Sequence, residues 1–218
     1  MFHVKHIPVA PLDVSRETWE SLKADIQRKA CAFQEYGEVL LMWNERVNVV
    51  SRGMNIVEFE KHQMHSLMCA LSPVFHSHSR FVDIGSGGGL PGIPLAMAFP
   101  EKEFLLVDII EKKTIVLKEL VRTFHLKNVR VECADIKKLA VESDQVILSK
   151  HAFKLGEFSK AMSAQPWAHA LFLKGKDFMW ELEDVVDAMS VRFADLDTLE
   201  TDGFYEDKCL LELNRENG

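Results

Sequence analysis

The chain has 218 residues, 47% hydrophobic and 27% charged, which fits one α/β domain with an added segment and a single sizeable core. No run approaches the roughly 20 apolar residues needed to cross a bilayer, so no membrane partner is expected. The net charge of −7 speaks against a nucleic-acid partner until its distribution is considered: residues 112–176 hold 13 basic and 6 acidic residues, while residues 181–208 hold two basic and ten acidic. A basic centre with an acidic flank is compatible with a phosphate-rich partner on one face, although an ordinary mixed surface gives the same counts.

In chain order, "MFHVKHIPVAPLDVS" has no uninterrupted apolar stretch and no small-residue cleavage site. It reads as a short irregular lead-in interrupted by Pro8 and Pro11, not a signal peptide. Residues 15–71 follow a helical pattern in about three pieces. "SRETWESLKADIQRKACAF" opens on Ser15 as N-cap, "GEVLLMWNERVNVVS" follows, and "NIVEFEKHQMHSLMCAL" opens on Asn55. Trp43, at helical spacing with Leu40 and Val47, reads as core in preference to a stacking platform.

After Arg80 the rhythm changes. "RFVDI" is a strand, followed by a glycine-rich loop and a helix through Ala98. "EFLLVD" is a strand, and "EKKTIVLKELVRTFHL" a helix with Leu117, Leu120, Val121 and Phe124 on its buried face. "NVRVECAD" and "DQVILS" are strands, "LGEFSKAMSA" a helix, "HALFLKG" a strand and "DFMWELEDVVDAMS" a helix. "VRFADLDTL" and "YEDKCLLELN" close as an antiparallel hairpin-like edge. Strands alternating with helices predict a doubly wound, mostly parallel sheet of seven strands behind a helical segment. The expected division is residues 1–78 and 79–218.

Cys31, Cys69, Cys133 and Cys209 are scattered, which argues against a disulfide framework or structural zinc and fits a reducing cytoplasm. Glu58, His62, His65 and Cys69 share one helix face, but ligands strung over three turns cannot all reach one ion. They read as a partly buried polar stripe, and "HSHS" at 76–79 as a solvated loop, so no metal is expected.

The loop "GSGGGLPGIP" carries the chemistry. Gly85-Ser86-Gly87-Gly88-Gly89-Leu90 puts leucine where the dinucleotide fingerprint has its third glycine, and Asp83 precedes it. A carboxylate there repels a pyrophosphate but accepts, directly or through water, from a cationic amino-acid moiety. That points to S-adenosylmethionine. Asp108, ending the next strand, can accept both hydroxyls of a ribose, and Asp135, after the third strand, stands where an adenine amino group can be reached; taken singly, either aspartate also fits a turn or cap. Methyl transfer from a sulfonium is an in-line displacement that needs alignment and a dry site. "SKHAF" after the fourth strand has neither the Pro-Pro-aromatic clamp used for exocyclic amines nor a cysteine nucleophile. A guanine N7 already presents a lone pair and needs no base.

"VDIGSGGGLPGIPLA" followed by "LVDIIEKKTIVLKELV" closely resembles the RsmG (GidB) family, bacterial methyltransferases acting at N7 of a guanine in 16S ribosomal RNA. "LMWNERVNVVS" is similar to that family's Trp-Asn…Asn segment, "KHQMHSL" to its "RHxxDSL", and "LFLKG" to its fifth-strand ending. The resemblance covers about residues 38–176. It implies a Rossmann-like class I methyltransferase fold, S-adenosylmethionine as cofactor, and a small-subunit rRNA substrate, free or in an assembled 30S particle. It also implies cofactor contacts at Gly85, Leu90, the backbone of Ile136 and Lys137, and the position of Lys150. With the residue reading, the cofactor set is Asp83, Gly85, Gly87, Leu90, Asp108, Asp135, Ile136, Lys137 and Lys150. Lys150 is the expected bridge between donor and acceptor.

Three positions depart from the family pattern. Lys150 replaces the Arg of "SRA", Asp135-Ile136-Lys137-Lys138 replaces "RAEE", and His65 replaces the Asp of "DSL". Lysine keeps the charge but loses the planar fork. Lys112, Lys113, Lys118, Arg122, Lys150, Lys154, Lys174 and Lys176 are the candidate RNA-facing residues, with a solvated face as the competing reading. A small-molecule methyltransferase and a cofactor-binding regulatory protein without turnover are the alternative functions.

Overall fold

The computed structural model describes residues 7–186 and 189–215. Strand β1 (Val9–Pro11) leads into helices α1 (Arg16–Gln27), α2 (Ala30–Asn44) and α3 (Ile56–Leu67), a 3-10 turn at Met68–Leu71, and α4 (Pro73–Ser77). The alternating unit follows: β2 (Arg80–Ile84), α5 (Gly92–Ala98), β3 (Glu103–Asp108), α6 (Glu111–Thr123), β4 (Val129–Cys133), β5 (Gln145–Lys150), α7 (Leu155–Met162) and β6 (His169–Gly175). A 3-10 stretch at Lys176–Asp184, β7 (Met189–Asp195) and β8 (Lys208–Arg215) complete it.

One eight-stranded sheet runs in the order β1-β7-β8-β6-β5-β2-β3-β4. All neighbours are parallel except β8, which is antiparallel to both β6 and β7. The closing antiparallel pair is therefore present, but it is not the edge. β8 slots between β6 and β7, and β1 pairs outside β7.

That eighth strand corrects the seven-strand expectation and the irregular lead-in over residues 9–11. Val191 N–H donates to Pro8 O at 2.9 Å and Leu12 N–H to Phe193 O at 2.6 Å. A strand containing Pro11 suits the rim, where a missing N–H breaks no ladder. Residues 1–6 of the lead-in lie outside the described residues.

Ser15 and Asn55 cap as expected, their side chains accepting from Thr18 N and Glu58 N. The first predicted helix divides at Arg28 and Lys29 without a Gly or Pro to mark the break. Lys29 Nζ there donates to the carbonyls of Met97 and Ala98, at 3.0 and 2.8 Å, satisfying the C-terminal end of α5. The helix expected from residue 177 is instead the 3-10 stretch, with Phe178 buried and Glu181 and Lys176 pulled into tertiary ion pairs. Asp187 and Ala188 of that expectation lie outside the described residues.

Alternation along the strands feeds two cores. Phe81, Phe104, Leu106 and Leu148 pack with Trp19, Tyr36 and Phe59 from α1, α2 and α3. Val82, Ile84, Val107 and Ile147 pack with Leu155, Phe158 and Met162 of α7 on the opposite face. Asp83 follows Phe81 in register, so its side chain enters the face covered by α2.

Candidate functional site

The loop after β2 is tied to β3 before it turns into α5. Gly85 and Ser86 N–H groups both donate to Val107 O, at 2.8 and 3.0 Å, and Ser86 Oγ donates to Asp83 O while accepting from Val107 N–H. Gly85, Gly87 and Gly89 all hold positive φ, at 70, 55 and 94°. From the other side, Tyr36 Oη of α2 donates to Gly88 O at 2.7 Å, its ring edge-on to Phe59 and Phe124. Leu40 and Val50 lie against Gly88. The helical segment is therefore the loop's direct support. Tyr36→Phe removes a bond to a buried carbonyl and is expected to cost about 1–3 kcal/mol, read as a lowered urea midpoint with unchanged slope.

Asp83 is fully buried. Its Oδ2 accepts from Gly92 N–H at 3.0 Å, and its Oδ1 has no partner among the described residues. Burial, partly offset by the Gly92 bond and reinforced by the Asp108 carboxylate, pushes its carboxyl up to about 7. Asp108 is nearly buried and bridges two loops, Oδ2 accepting from Gly87 N–H (3.0 Å) and Oδ1 from Ile110 N–H (2.9 Å). The backbone continues the link, Ala134 N–H donating to Asp108 O. Asp135 lies beyond the end of β4 and caps a short 3-10 turn, its Oδ1 accepting from Lys137 N–H at 3.0 Å. Ile136 is buried in the α7-side core and Lys137 is exposed. Leu90 is buried within the α2-side core.

Lys150 ends β5, and its Nζ contacts Nδ1 of His62 on α3 at 2.8 Å. Burial first, then the nearby Lys208 ammonium, lowers its ammonium to about 8. The same influences, with Lys150 itself, lower His62 to about 3 and hold it neutral. His65, one turn further along α3, is fully buried with both ring nitrogens unpartnered among the described residues. His151, with φ of 53°, and the segment bearing Phe204 and Tyr205 enclose the group. Phe204 stands edge-on to His62 at 5.0 Å, and His65 lies 5.9 Å from His151 and 6.0 Å from Tyr205. A Cβ on Gly85 would stand 2.6 Å from that of Ala152, so this cluster borders the glycine loop.

The structure thus brings Asp83, Gly85, Gly87, Asp108 and Lys150 together at the carboxyl ends of β2, β3 and β5, where open α/β sheets hold ligands. The polar stripe of α3 separates: Glu58 is exposed, His62 meets Lys150, and His65 and Cys69 are buried. No group of three or more His, Cys, Asp or Glu side chains placed to hold a metal ion occurs among the described residues. Trp43 packs against the core as expected.

Two of the RNA-facing candidates are engaged by acids of the C-terminal flank. Lys174 is buried against Glu181 at 2.6 Å and Phe153 O, and Lys176 pairs with Asp197 at 2.7 Å. The acidic flank accounts for both, and it also pairs Glu200 with Lys23 and Asp202 with Lys61. Arg122 pairs with Glu119 on its own helix, whereas Lys112, Lys118 and Lys154 stand exposed. Tyr36, His151 and the Phe204–Lys208 segment carry no signal in the sequence. His62 stands out there only as part of a stripe, and its distance of 88 positions from Lys150 leaves no local sign of their contact.

The chain is similar to known proteins in sequence and in fold. The chain is 34% identical over 189 residues to ribosomal RNA small subunit methyltransferase G of Flavobacterium johnsoniae, covering 83% of this chain and 88% of that one. It is 36% identical over 154 residues to the protein of the same name from Chlorobaculum tepidum, 69% and 70% covered. In fold it is similar to magnesium protoporphyrin IX methyltransferase of Synechocystis, solved with bound SAM, at TM-score 0.55 and 12% identity over 83% of this chain and 97% of that one. The pyocyanin biosynthetic protein PhzM gives TM-score 0.55 and 12% identity over 81% and 62%. The family model described as rRNA small subunit methyltransferase G matches residues 29–202, a span holding the glycine loop, both strand-end aspartates and the Lys150 cluster. On that match and those relatives, the chain belongs to the GidB family.

Proposed function

We propose that the protein transfers a methyl group from S-adenosylmethionine to N7 of a guanine in 16S ribosomal RNA. The observation that carries this reading is the buried Asp83 carboxylate with an unpartnered oxygen beneath a loop of left-handed glycines, in a chain of this family. An orphaned buried acceptor fits the ammonium of the cofactor's amino-acid moiety, because a buried acceptor left unpaired costs free energy that a cation recovers. The bound cofactor supplies an electrophilic methyl on a sulfonium.

The remaining roles belong to the chain. Gly85 and Gly87 let bare backbone approach the ligand, and Leu90 closes the loop's apolar side. Asp108, whose oxygens each retain a lone pair after their backbone bonds, accepts ribose hydroxyls. Asp135, Ile136 and Lys137 line the adenine end. Lys150, between the glycine loop and α3, stands at the junction of donor and acceptor, and no general base is required. With the chain divided at residues 78 and 79, α2 of the first part supports the loop and the second part holds the cofactor. RNA phosphates meet Lys112, Lys118 and Lys154. The substrate is small-subunit rRNA in the cytoplasm, either free or assembled.

The test is methyl transfer from labelled S-adenosylmethionine to free 16S rRNA and to 30S particles, both lacking native N7 methylation, with the labelled nucleotide mapped. Label at one guanine N7 is the expected result, and RNA affinity should fall steeply with salt as phosphate contacts release counterions. Cofactor binding without label on either substrate would overturn the acceptor assignment.

A further inference from the structure

We propose that His62 is a positioning residue for methyl transfer, its imidazole Nδ1 accepting a hydrogen bond from Lys150 Nζ and so fixing that ammonium at the end of β5 beside the glycine loop. The inference rests on the role read above for Lys150 and adds what makes that role possible. A lysine carries a point charge on a flexible stem, where an arginine holds a rigid fork. In this pocket the stem is largely enclosed, and the side-chain acceptor for Nζ is the ring of His62.

The acceptor's chemistry matters as much as its place. A carboxylate would hold Lys150 by neutralising it, whereas a neutral imidazole holds it and leaves the charge free to face the substrates. The position one turn along α3 is His65, not an acid, and both its ring nitrogens are unpartnered among the described residues. Burial, together with the Lys150 and Lys208 ammonium groups, keeps His62 neutral, so its lone pair is available over the working pH range.

The ring is itself held. Phe204 packs edge-on against it, with an interplanar angle of 83°, and Lys208 fixes Phe204 from behind. The Lys208 ammonium lies 3.8 Å over that ring and donates to the Phe204 carbonyl. Lys61, the neighbour of His62, is paired to Asp202 at 3.0 Å on the same segment. Residues 202–208 thus pack against the imidazole whose Nδ1 meets Lys150, and a small misplacement at such a site is enough to cost rate.

The experiment uses the full chain with undermethylated 30S particles or free 16S rRNA, whichever accepts label. It compares His62→Ala, His62→Asn, Lys150→Met and the His62→Ala/Lys150→Met double variant, with melting temperatures as a check on folding. His62→Ala is expected to lower kcat ~30–100-fold while KM for RNA and cofactor affinity stay within about threefold. His62→Asn is expected to recover most of that loss, because its Oδ1 can occupy the Nδ1 position. The double variant should be no slower than Lys150→Met alone, since both changes remove one device. An inactive Lys150→Met with a fully active His62→Ala would overturn this inference while leaving Lys150's role standing. Equal losses in the Ala and Asn variants, or additive losses in the double variant, would also overturn it. A fully active Lys150→Met would instead remove the reading of Lys150 on which it rests.

Discussion

Asp83→Asn is expected to weaken S-adenosylmethionine binding ~10–100-fold without unfolding the protein. Asparagine keeps the shape and can still accept the Gly92 N–H, so what it removes is the charge. A hydrogen bond to a charged group contributes about 1.5–3 kcal/mol, which sets the size of the loss.

The pH dependence adds a signature. The carboxyl sits at about 7 in the free protein, so below that pH it is increasingly protonated and must ionise to receive a cation. Affinity should therefore fall as pH drops through about 7, and binding there should release a proton. Titration calorimetry in two buffers of different ionisation enthalpy reads that proton directly, and Asp83→Asn should abolish it. The free protein's stability runs the opposite way. A carboxyl whose folded value lies above its unfolded one binds a proton in the fold first, so Asp83's contribution to stability rises as pH falls from above 7 toward 4. Wild-type affinity in the Asn variant, or binding without proton release below pH 7, would remove Asp83 from the cofactor site.

Gly85→Ala is expected to destabilise the fold by about 2–4 kcal/mol, roughly 4–16 °C in melting temperature for a domain of this size. Two costs combine. The backbone stands at φ of 70°, where a Cβ is strained, and the new methyl would meet the Ala152 Cβ at 2.6 Å. Gly53 separates them, because it has φ of 79° and a methyl added there would meet nothing within 4 Å. Gly53→Ala should therefore show only the conformational cost, about 1 kcal/mol. Equal losses at the two positions in thermal unfolding would mean that the close approach of the β5–α7 loop contributes nothing.

Asp83 and Gly85 are legible in the sequence because their signals are local. Both lie within a strand-loop-helix read from composition and spacing, and Asp108 follows from the end of the next strand. Strands and helices from Arg80 to Gly175 fall close to where periodicity places them, since each alternates faces between two cores. What is illegible depends on distant partners. Tyr36 reaches Gly88 across 52 positions, and nothing near Tyr36 distinguishes it from a core aromatic. β1 is too short to have a period and exists because β7 offers an unpaired rim. The lysines at 174 and 176 look available to RNA in the sequence because the acids that engage them lie further along the chain, and charge counted by segment misses pairing between segments.

The rim of the sheet carries a consequence for biogenesis. Val9 pairs with Val191, Arg16 donates to Thr198 O, and the indole of Trp19 donates to Glu200, so the leading elements are held by residues about 180 positions downstream. On a translating ribosome those partners emerge about 180 residues later. Neighbouring strands β2, β3 and β4 can pair from nearby chain, whereas β1 and the Trp19 indole must wait for their partners until β7 and Glu200 have left the exit tunnel. Long-range closure of this kind is slow and leaves apolar surface open in the meantime. The nascent chain is therefore most vulnerable to protease and aggregation until residues 189–200 appear.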